Sequence, residues 1–224
     1  MTGLSDLAPA CLGGDAAARP PAVTGYAMLL PAGWRRIPVL HGTRKAITGI
    51  VDEALSRPPS ALSQEGLKQA RLELEHHLTE MARQAREQAV VDLYLPVEQV
   101  HGVAVPASIA VSRGTLGSSG VRDWDEMMAQ IAAGPHEARP VNVDGAAGAR
   151  LERSAGPGLA RHVLCGSRLV SYILPVPGVP GDWLIVAFSV LDADGLAGRF
   201  ARLLAEMFDA VMTTFRWTRT GTLR

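Results

Sequence analysis

Residues 182–217, DWLIVAFSVLDADGLAGRFARLLAEMFDAVMTTFRW, join a nearly continuous apolar run to an amphipathic segment. The run at 183–190 is rich in branched and aromatic side chains, which is typical of a strand covered on both faces of a sheet. Large apolar residues then recur every three or four positions, which predicts a helix with one apolar face. We therefore predict a central strand followed by the helix that packs on it. The predicted apolar face consists of Leu196, Phe200, Leu203, Leu204, Met207, Phe208 and Val211, and the opposite face of Arg199, Arg202, Glu206 and Asp209.

The composition is that of a globular chain without net charge. Of the 224 residues, 47% are hydrophobic, and Lys plus Arg equal Asp plus Glu at 22 each. The chain is therefore expected to bury the core of one large domain, and a disordered protein is excluded. Because no surplus of positive charge is present, binding to nucleic acid or to an anionic membrane surface is not expected.

The sequence carries no sign of membrane insertion or secretion. No run reaches the roughly 18 apolar residues of a membrane span, and the first residues lack the basic and apolar regions of a signal peptide. We expect a cytoplasmic protein, with residues 1–24 as a flexible leader and 218–224 as a tail. Cys11 and Cys165 are the only cysteines of the sequence, too few and too far apart to predict a disulfide scaffold or a metal cluster.

Residues 25–217 are predicted to form a single α+β domain with a largely antiparallel sheet packed by helices. Two helical patterns at 43–88, separated by Pro58 and Pro59, predict a helical hairpin inserted between early strands. Asp144-Gly145 predicts a hairpin turn, and Gly166-Ser167 predicts another turn between two short strands. The other strand patterns lie at 26–30, 34–40, 90–96 and 107–112, and a short helix is predicted at 123–133.

The second helix of the insertion has a narrow apolar seam, made by Leu67, Leu74, Leu78 and Met81. In one interpretation, the seam packs against the first helix of the same hairpin. In the other, it docks on a second copy of the chain or on another protein, because uncovered apolar patches mark interfaces. The sequence leaves both interpretations open.

Three segments carry a resemblance to a known family: Leu30-Pro31-x-Gly33-Trp34, Val143-Asp144-Gly145, and the apolar strand whose helix ends at Phe215-Arg216-Trp217. Over most of residues 26–217 this arrangement resembles the PsbP/Mog-type α/β/α superfamily, and more narrowly proteins of unassigned function from high-GC actinobacteria. The resemblance implies an α/β/α sandwich. It also implies binding rather than catalysis, because the members are mostly extrinsic photosystem subunits, a Ran-binding nuclear factor and bacterial lipoproteins. The insertion departs from the family pattern, and no functional residue is transferred.

The densest polar cluster is residues 73–80, ELEHHLTE. On a helix, Glu73 lies beside His77 and His76 beside Glu80, so each pair offers two ligands to a divalent metal. A closed site needs further ligands from elsewhere, and the metalloprotease spacing His-Glu-x-x-His is absent. Solvated helix pairs are far commoner than metal sites, so no metal is predicted.

Two further motifs resemble catalytic or phosphate-binding elements. Cys165 follows His162 by three residues, but side chains three apart on a strand point to opposite faces, so a buried structural cysteine is predicted. The loop 112–120 is rich in Gly and Ser, which suits a phosphate-binding backbone. It lacks the Gly-Lys-Ser/Thr ending of a P-loop and is interpreted as a connection.

The sequence predicts no catalytic, cofactor-binding or metal-binding residue and no cofactor. The leading hypothesis is a non-catalytic binding or accessory protein that contacts a protein partner or a second copy through the helical insertion. The alternative is a small-molecule or metal-dependent enzyme with an unrecognised site. The two differ in whether a deep pocket gathers His162, Arg161, Asp182 or the 73–80 cluster, because an enzyme needs several convergent polar groups.

Overall fold

An antiparallel sheet of seven strands forms the centre of the molecule. The computed structural model describes residues 22–56, 63–98, 104–115, 124–134, 137–160, 163–192 and 197–220. The strands are β1 (Val23–Ala27), β2 (Trp34–Pro38), β3 (Val90–Pro96), β4 (Ala107–Thr115), β5 (Glu137–Val143), β6 (Ala146–Ala160), β7 (Val163–Pro175), β8 (Asp182–Asp192) and β9 (Arg216–Arg219). Neighbouring strands of the large sheet follow the order β2, β3, β4, β8, β7, β6, β5, while β1 and β9 pair separately.

The apolar run predicted as a central strand is β8, which lies in the middle of the sheet. It pairs with β4 on one side and β7 on the other, both antiparallel. Val186 and Phe188 on this strand are fully buried. A strand in this position contacts protein on every side, which explains why its sequence is almost free of polar residues.

Helices cover both faces of the sheet, as the α+β prediction requires. They are α1 (Thr43–Ala54), α2 (Gln64–Glu87), α3 (Trp124–Ala132) and α4 (Ala197–Thr213). On α4, Phe208 stacks on Phe188 with ring centroids 5.2 Å apart, and we call this face of the sheet the front face. The back face carries α1 and α2, packed around Leu93, and α3, whose Met127 packs on Ile173.

The buried face of α4 is rotated relative to the prediction. Phe208 is buried as predicted, but Phe200 and Leu203 are 38% and 60% exposed. The positions that replace them in the core are Ala201 and Ala205. Small side chains let a helix approach a sheet closely, so a face assigned from large residues alone was wrong at this edge.

Strand β7 is continuous where the sequence predicts two short strands. Gly166 and Ser167, interpreted as a turn, instead pair with the end of β8. Ladder partners on both sides stabilise an extended backbone, and this tertiary contribution overrides the local turn preference. The turn at Asp144-Gly145 is confirmed, with φ angles of 49° and 81°, as a two-residue hairpin requires.

The helical insertion at 43–88 is present, and its apolar seam faces the protein's own core. Leu78 is 5% exposed and packs with Ile50 and Val51 of α1. Leu74 is partly buried against the same cluster. Leu74, Leu78 and Met81 of the seam therefore pack within the chain, while docking of the insertion on a second copy or another protein stays a prediction.

Strands β1 and β9 form a two-stranded ribbon on the front face. Tyr26 of β1 stacks on Phe215 at 5.7 Å, and Phe215 meets Trp217 of β9 edge to face at 5.0 Å. The backbone N–H of Trp217 donates to Asp144 Oδ2 at 2.8 Å. The ribbon is thus fixed to the sheet by aromatic packing and by the β5–β6 turn.

The predicted leader and tail lie mostly outside the described residues, namely at 1–21 and 221–224. Within the described part, β1 begins at Val23 and β9 ends at Arg219, so both predicted boundaries cut into the ribbon. Leu196, predicted on the apolar face of α4, also lies outside. None of the helices in the described ranges is long and apolar enough to cross a membrane.

Candidate functional site

A charged groove lies on the front face beside α4. It has a volume of about 960 Å³ and is bounded by α4, β5, β6 and β7. We call it the arginine groove, after the five arginines that line it together with four carboxylates. The arginines are Arg139, Arg150, Arg153, Arg168 and Arg202.

The register of the two outermost strands places like charges opposite each other. Arg139 on β5 pairs with Arg150 on β6, and Glu137 pairs with Glu152 two residues away. Like charges directly opposite on a sheet are destabilising. Opposite charges from other elements are therefore needed to compensate them, and α4 and β7 supply these charges.

Asp209 of α4 is the centre of the resulting network. It accepts hydrogen bonds from Arg150 Nε at 2.8 Å and Nη2 at 3.0 Å, and from Arg139 Nη2 at 3.3 Å. The Tyr172 hydroxyl donates to the same carboxylate at 2.7 Å. Burial, together with this hydrogen bond to an anion, raises the pKa of Tyr172 to about 12. Both oxygens of Asp209 are occupied by these donors.

Glu152 bridges two arginines on the sheet side of the groove. It accepts from Arg150 Nη1 at 2.8 Å and also from Arg168. Burial opposes its ionisation, but the hydrogen bonds from the arginines outweigh burial and lower the pKa of Glu152. Burial likewise opposes the charge of Arg150, whose side chain is 7% exposed, yet Asp209 and Glu152 raise its pKa. Both shifts favour the charged forms of Glu152 and Arg150.

The floor of the groove has one positive charge in excess. Arg139, Arg150 and Arg168 share two carboxylates, Asp209 and Glu152. The Nε of Arg168 is buried and has no acceptor within the described part of the chain. A floor with this balance attracts an additional anion, and guanidinium groups bind carboxylates particularly well.

The rim of the groove carries charges of both signs. Arg153, Arg202, Glu137 and Glu206 are exposed, and their side chains make no hydrogen bond or ion pair with any other described residue. Unpaired rim charges guide an approaching partner and select its orientation. The rim is thus suited to recognising a surface with its own charge pattern.

The 73–80 cluster lies on α2, on the back face, and is not part of the groove. Glu73 accepts a hydrogen bond from Gln69 Nε2 at 2.7 Å, and Glu80 accepts from Arg83. The hydrogen bond from Arg83 lowers the pKa of Glu80 to about 2. Over the described ranges, no group of three or more His, Cys, Asp or Glu side chains is arranged to hold a metal ion. The hydrogen-bond partners of Glu73 and Glu80 are thus neighbours on the same helix.

Only the backbone of Cys165, the predicted structural cysteine, lies within the described part of the chain. Cys165 lies on β7 and pairs with Gly158 of β6. Its side chain and His162 lie outside the described part, so the expectation that the two do not meet stays a prediction.

Asp182 and the Gly/Ser loop are also separate from the groove. Asp182 forms an ion pair with Arg113 at 3.3 Å, where the end of β4 meets the start of β8. Loop residues 112–115 belong to β4, while 116–120 lie outside the described residues, as does Arg161. The lining of the arginine groove therefore includes neither Asp182 nor any residue of the 73–80 cluster, around which the enzyme hypothesis expects a pocket.

Sequence reasoning missed the residues at the centre of the groove. Asp209 was assigned to the solvated face of α4, although its carboxylate is held by three other side chains. A signal was present at Arg150, which follows the small residues 146–149 and precedes Leu151 in its strand. A charge in that position needs a partner, because burying it unpaired is costly.

Chemically, the arrangement of the groove suits electrostatic recognition. Both floor carboxylates already accept several donors, so neither Asp209 nor Glu152 is free to act as a general base in this arrangement. The free hydrogen-bonding capacity lies with the arginines. The chain matches no protein-family model and no curated protein.

Proposed function

We propose that this protein is a non-catalytic binding protein that holds an acidic segment of a partner protein in the arginine groove. The observation that carries the proposal is the floor, where Arg139, Arg150 and Arg168 share only two carboxylates. A carboxylate side chain of a partner restores the balance of charge there. It also offers acceptors with the geometry that guanidinium groups prefer.

The rim supports a protein partner rather than a nucleic acid. Glu137 and Glu206 line the groove together with Arg153 and Arg202, so a chain of phosphates also meets negative charge there. Alternating charges suit a protein segment, which carries both signs and is selected by the match between them. Small-molecule sites, in contrast, are predominantly apolar, and this groove is lined mostly by charged side chains.

The family resemblance supports the same proposal. Helices on both faces of an antiparallel sheet agree with the α/β/α arrangement of the PsbP/Mog-type superfamily, to which we propose that the chain belongs. Its members are mostly binding proteins. We further propose that the protein acts in the cytoplasm, where an accessory factor meets its partner directly.

Charge reversal on the rim tests this proposal without disturbing the floor. The double variant Arg153→Glu/Arg202→Glu changes two exposed residues that have no described partner. The matched control is Arg44→Glu/Lys45→Glu, which makes the same change of net charge on the exposed side of α1. The probe is a glutamate-rich peptide, titrated at low salt and followed by calorimetry.

We expect the rim variant to bind the peptide roughly tenfold more weakly than the wild type, since each exposed charge pair contributes up to about 1 kcal/mol. The control variant should keep the wild-type affinity. Added salt should weaken binding in both. A wild-type protein that does not bind the peptide, or rim and control variants of equal affinity, would overturn the proposal.

A further inference from the structure

A second, smaller cavity lies on the front face beneath the β1–β9 ribbon, towards the opposite edge of the sheet. Its volume is about 280 Å³. Val23, Val176 and Leu184 form apolar walls, while Arg36 and Arg113 bring polar groups to it. An apolar cavity with a few convergent polar groups is the usual form of a small-molecule site.

A buried carboxylate, Asp92, organises the polar side of this cavity. Asp92 is 3% exposed and accepts from Arg36 Nε at 2.7 Å and Nη2 at 2.9 Å. The Tyr26 hydroxyl donates to it at 2.5 Å. The proton of Tyr26 is thereby committed, so in the 3.0 Å contact between the two hydroxyls Tyr94 is the donor. Asp92 and Tyr26 therefore have their strongest partners within the protein.

Two arginines and an indole at the cavity have hydrogen-bond donors that are not fully used. Among the described residues, Nη1 of Arg36 has no acceptor, and the side chain of Arg113, which is 52% exposed, has Asp182 as its one partner, at 3.3 Å. Trp217 lines the cavity and is 8% exposed, and its buried indole N–H has no acceptor in the described ranges. A buried donor without a partner costs free energy, which a bound acceptor recovers.

Anchoring the ribbon accounts for the Tyr26–Asp92 hydrogen bond but not for the space or for the surplus of donors. We propose that the cavity binds a small molecule with an apolar body and one hydrogen-bond acceptor head, either a carboxylate or a carbonyl group. Arg36, Arg113 and Trp217 hold the head, and the valine and leucine side chains enclose the body. At ~30 Å³ of liquid volume per water-sized group, the cavity accommodates about nine non-hydrogen atoms.

Two probes of this size test the inference, hexanoate for a carboxylate head and hexanamide for a neutral carbonyl head. The readout is the NMR signal of the Trp217 indole N–H, assigned by its disappearance in Trp217→Phe. We expect at least one probe to shift this signal in a saturable manner. The indole signal of Trp34, on β2, should stay in place. No shift with either probe at its highest soluble concentration, or equal shifts of all indole signals, would contradict the site.

Variants locate the binding and identify the head. Val23→Phe fills the cavity from a half-buried position and should abolish the shift; Thr24→Phe at the exposed mouth serves if the first variant does not fold. A plugged variant that still binds the probe as the wild type does overturns the proposal. Arg153→Gln in the arginine groove is the control and should bind normally, which also separates this inference from the proposed function.

Arg113→Gln distinguishes the two kinds of head. If the ligand head is a carboxylate, this variant should bind hexanoate up to about fivefold more weakly, which corresponds to the loss of one exposed charge-assisted contact. Its affinity for hexanamide should be unchanged. If hexanamide is the probe that binds the wild type, the head is a neutral carbonyl, held by the Trp217 and Arg36 donors.

Discussion

The front face contains two clusters made of the same parts, one at Asp92 and one at Asp209. Each aspartate accepts from Nε and Nη2 of one arginine and from one tyrosine hydroxyl. The two clusters differ in which partner is buried: the carboxylate in the first and the guanidinium in the second. The side chain of Asp92 is 4% exposed and that of Arg36 is 58% exposed, whereas Asp209 is 27% and Arg150 is 7% exposed.

This difference determines which member of each pair depends on the other. A group at the surface can exchange its lost partner for water, but a buried charge cannot. In the first cluster the dependent member is the carboxylate of Asp92, and in the second it is the guanidinium of Arg150. Identical hydrogen bonds therefore predict opposite responses to mutation.

The largest effect is expected from Arg36→Gln. This change leaves the buried carboxylate of Asp92 with the Tyr26 hydroxyl as its remaining strong donor, so the free energy of unfolding should fall by about 3 to 5 kcal/mol. Asp92→Asn should cost only about 1 to 2 kcal/mol, because Arg36 is then hydrated. Urea unfolding of both variants measures the difference, and equal losses would show that burial does not set the order.

In the second cluster, the aspartate variant should lose more stability than the arginine variant. Asp209→Asn leaves Glu152 as the one charged partner of the buried Arg150 among the described residues, and we expect a loss of about 2 kcal/mol. Arg150→Met keeps most of the packing and leaves Asp209 with Tyr172, Arg139 and water, so the expected loss is about 1 kcal/mol. The same unfolding experiment decides this, and a larger loss in Arg150→Met would contradict the comparison.

The smallest effect is confined to alkaline solution and concerns the two tyrosines. Tyr172, which faces Asp209, Arg150 and Arg139, has a pKa of about 12, above the value of about 10 for an unfolded chain. A raised pKa means that its stabilising contribution is complete below pH ~10 and is lost as pH rises through 12. Tyr172→Phe should therefore flatten the fall in stability over this range.

Tyr26 extends the comparison to the first cluster. Its pKa is raised by burial, by the nearby Tyr94 and by its hydrogen bond to Asp92. Because the site under the ribbon is the more buried one, Tyr26 should ionise at higher pH than Tyr172. Phenolate absorbance of the Tyr26→Phe and Tyr172→Phe variants measures the order, and an earlier ionisation of Tyr26 would show that the ribbon admits solvent.

The sequence predicted the elements whose signals are local. Strand β8, the insertion at 43–88 and the turn at Asp144-Gly145 follow from periodicity and turn chemistry over a few residues. The rotation of α4 could not be predicted in this way, because the alanines of its buried face carry little hydrophobic signal. The continuity of β7 could not be predicted either, because Gly166-Ser167 takes its conformation from neighbouring strands.

The two clusters could not be predicted from local sequence patterns, because their members lie far apart in the sequence. Arg150 and Asp209 are 59 residues apart, and they meet only because the β5–β6–β7 register and the position of α4 agree. The apolar strand VVDLYLP does contain a signal in Asp92, a carboxylate with Tyr94 on the same face. Such a residue predicts a buried partner without identifying it.

The ribbon also imposes an order of events on the ribosome. Its strands come from opposite ends of the described chain, and Thr24 meets Thr218 across a separation of 194 residues. At synthesis rates of about 5 to 20 residues per second, β1 waits roughly 10 to 40 s before β9 emerges. Late in that interval, once β8 has emerged, the large sheet has all its strands while Tyr26 still has no strand beside it to hold it over Asp92. The cavity under the ribbon is consequently the last part of the front face to close, and a nascent chain that stalls before Trp217 presents it open.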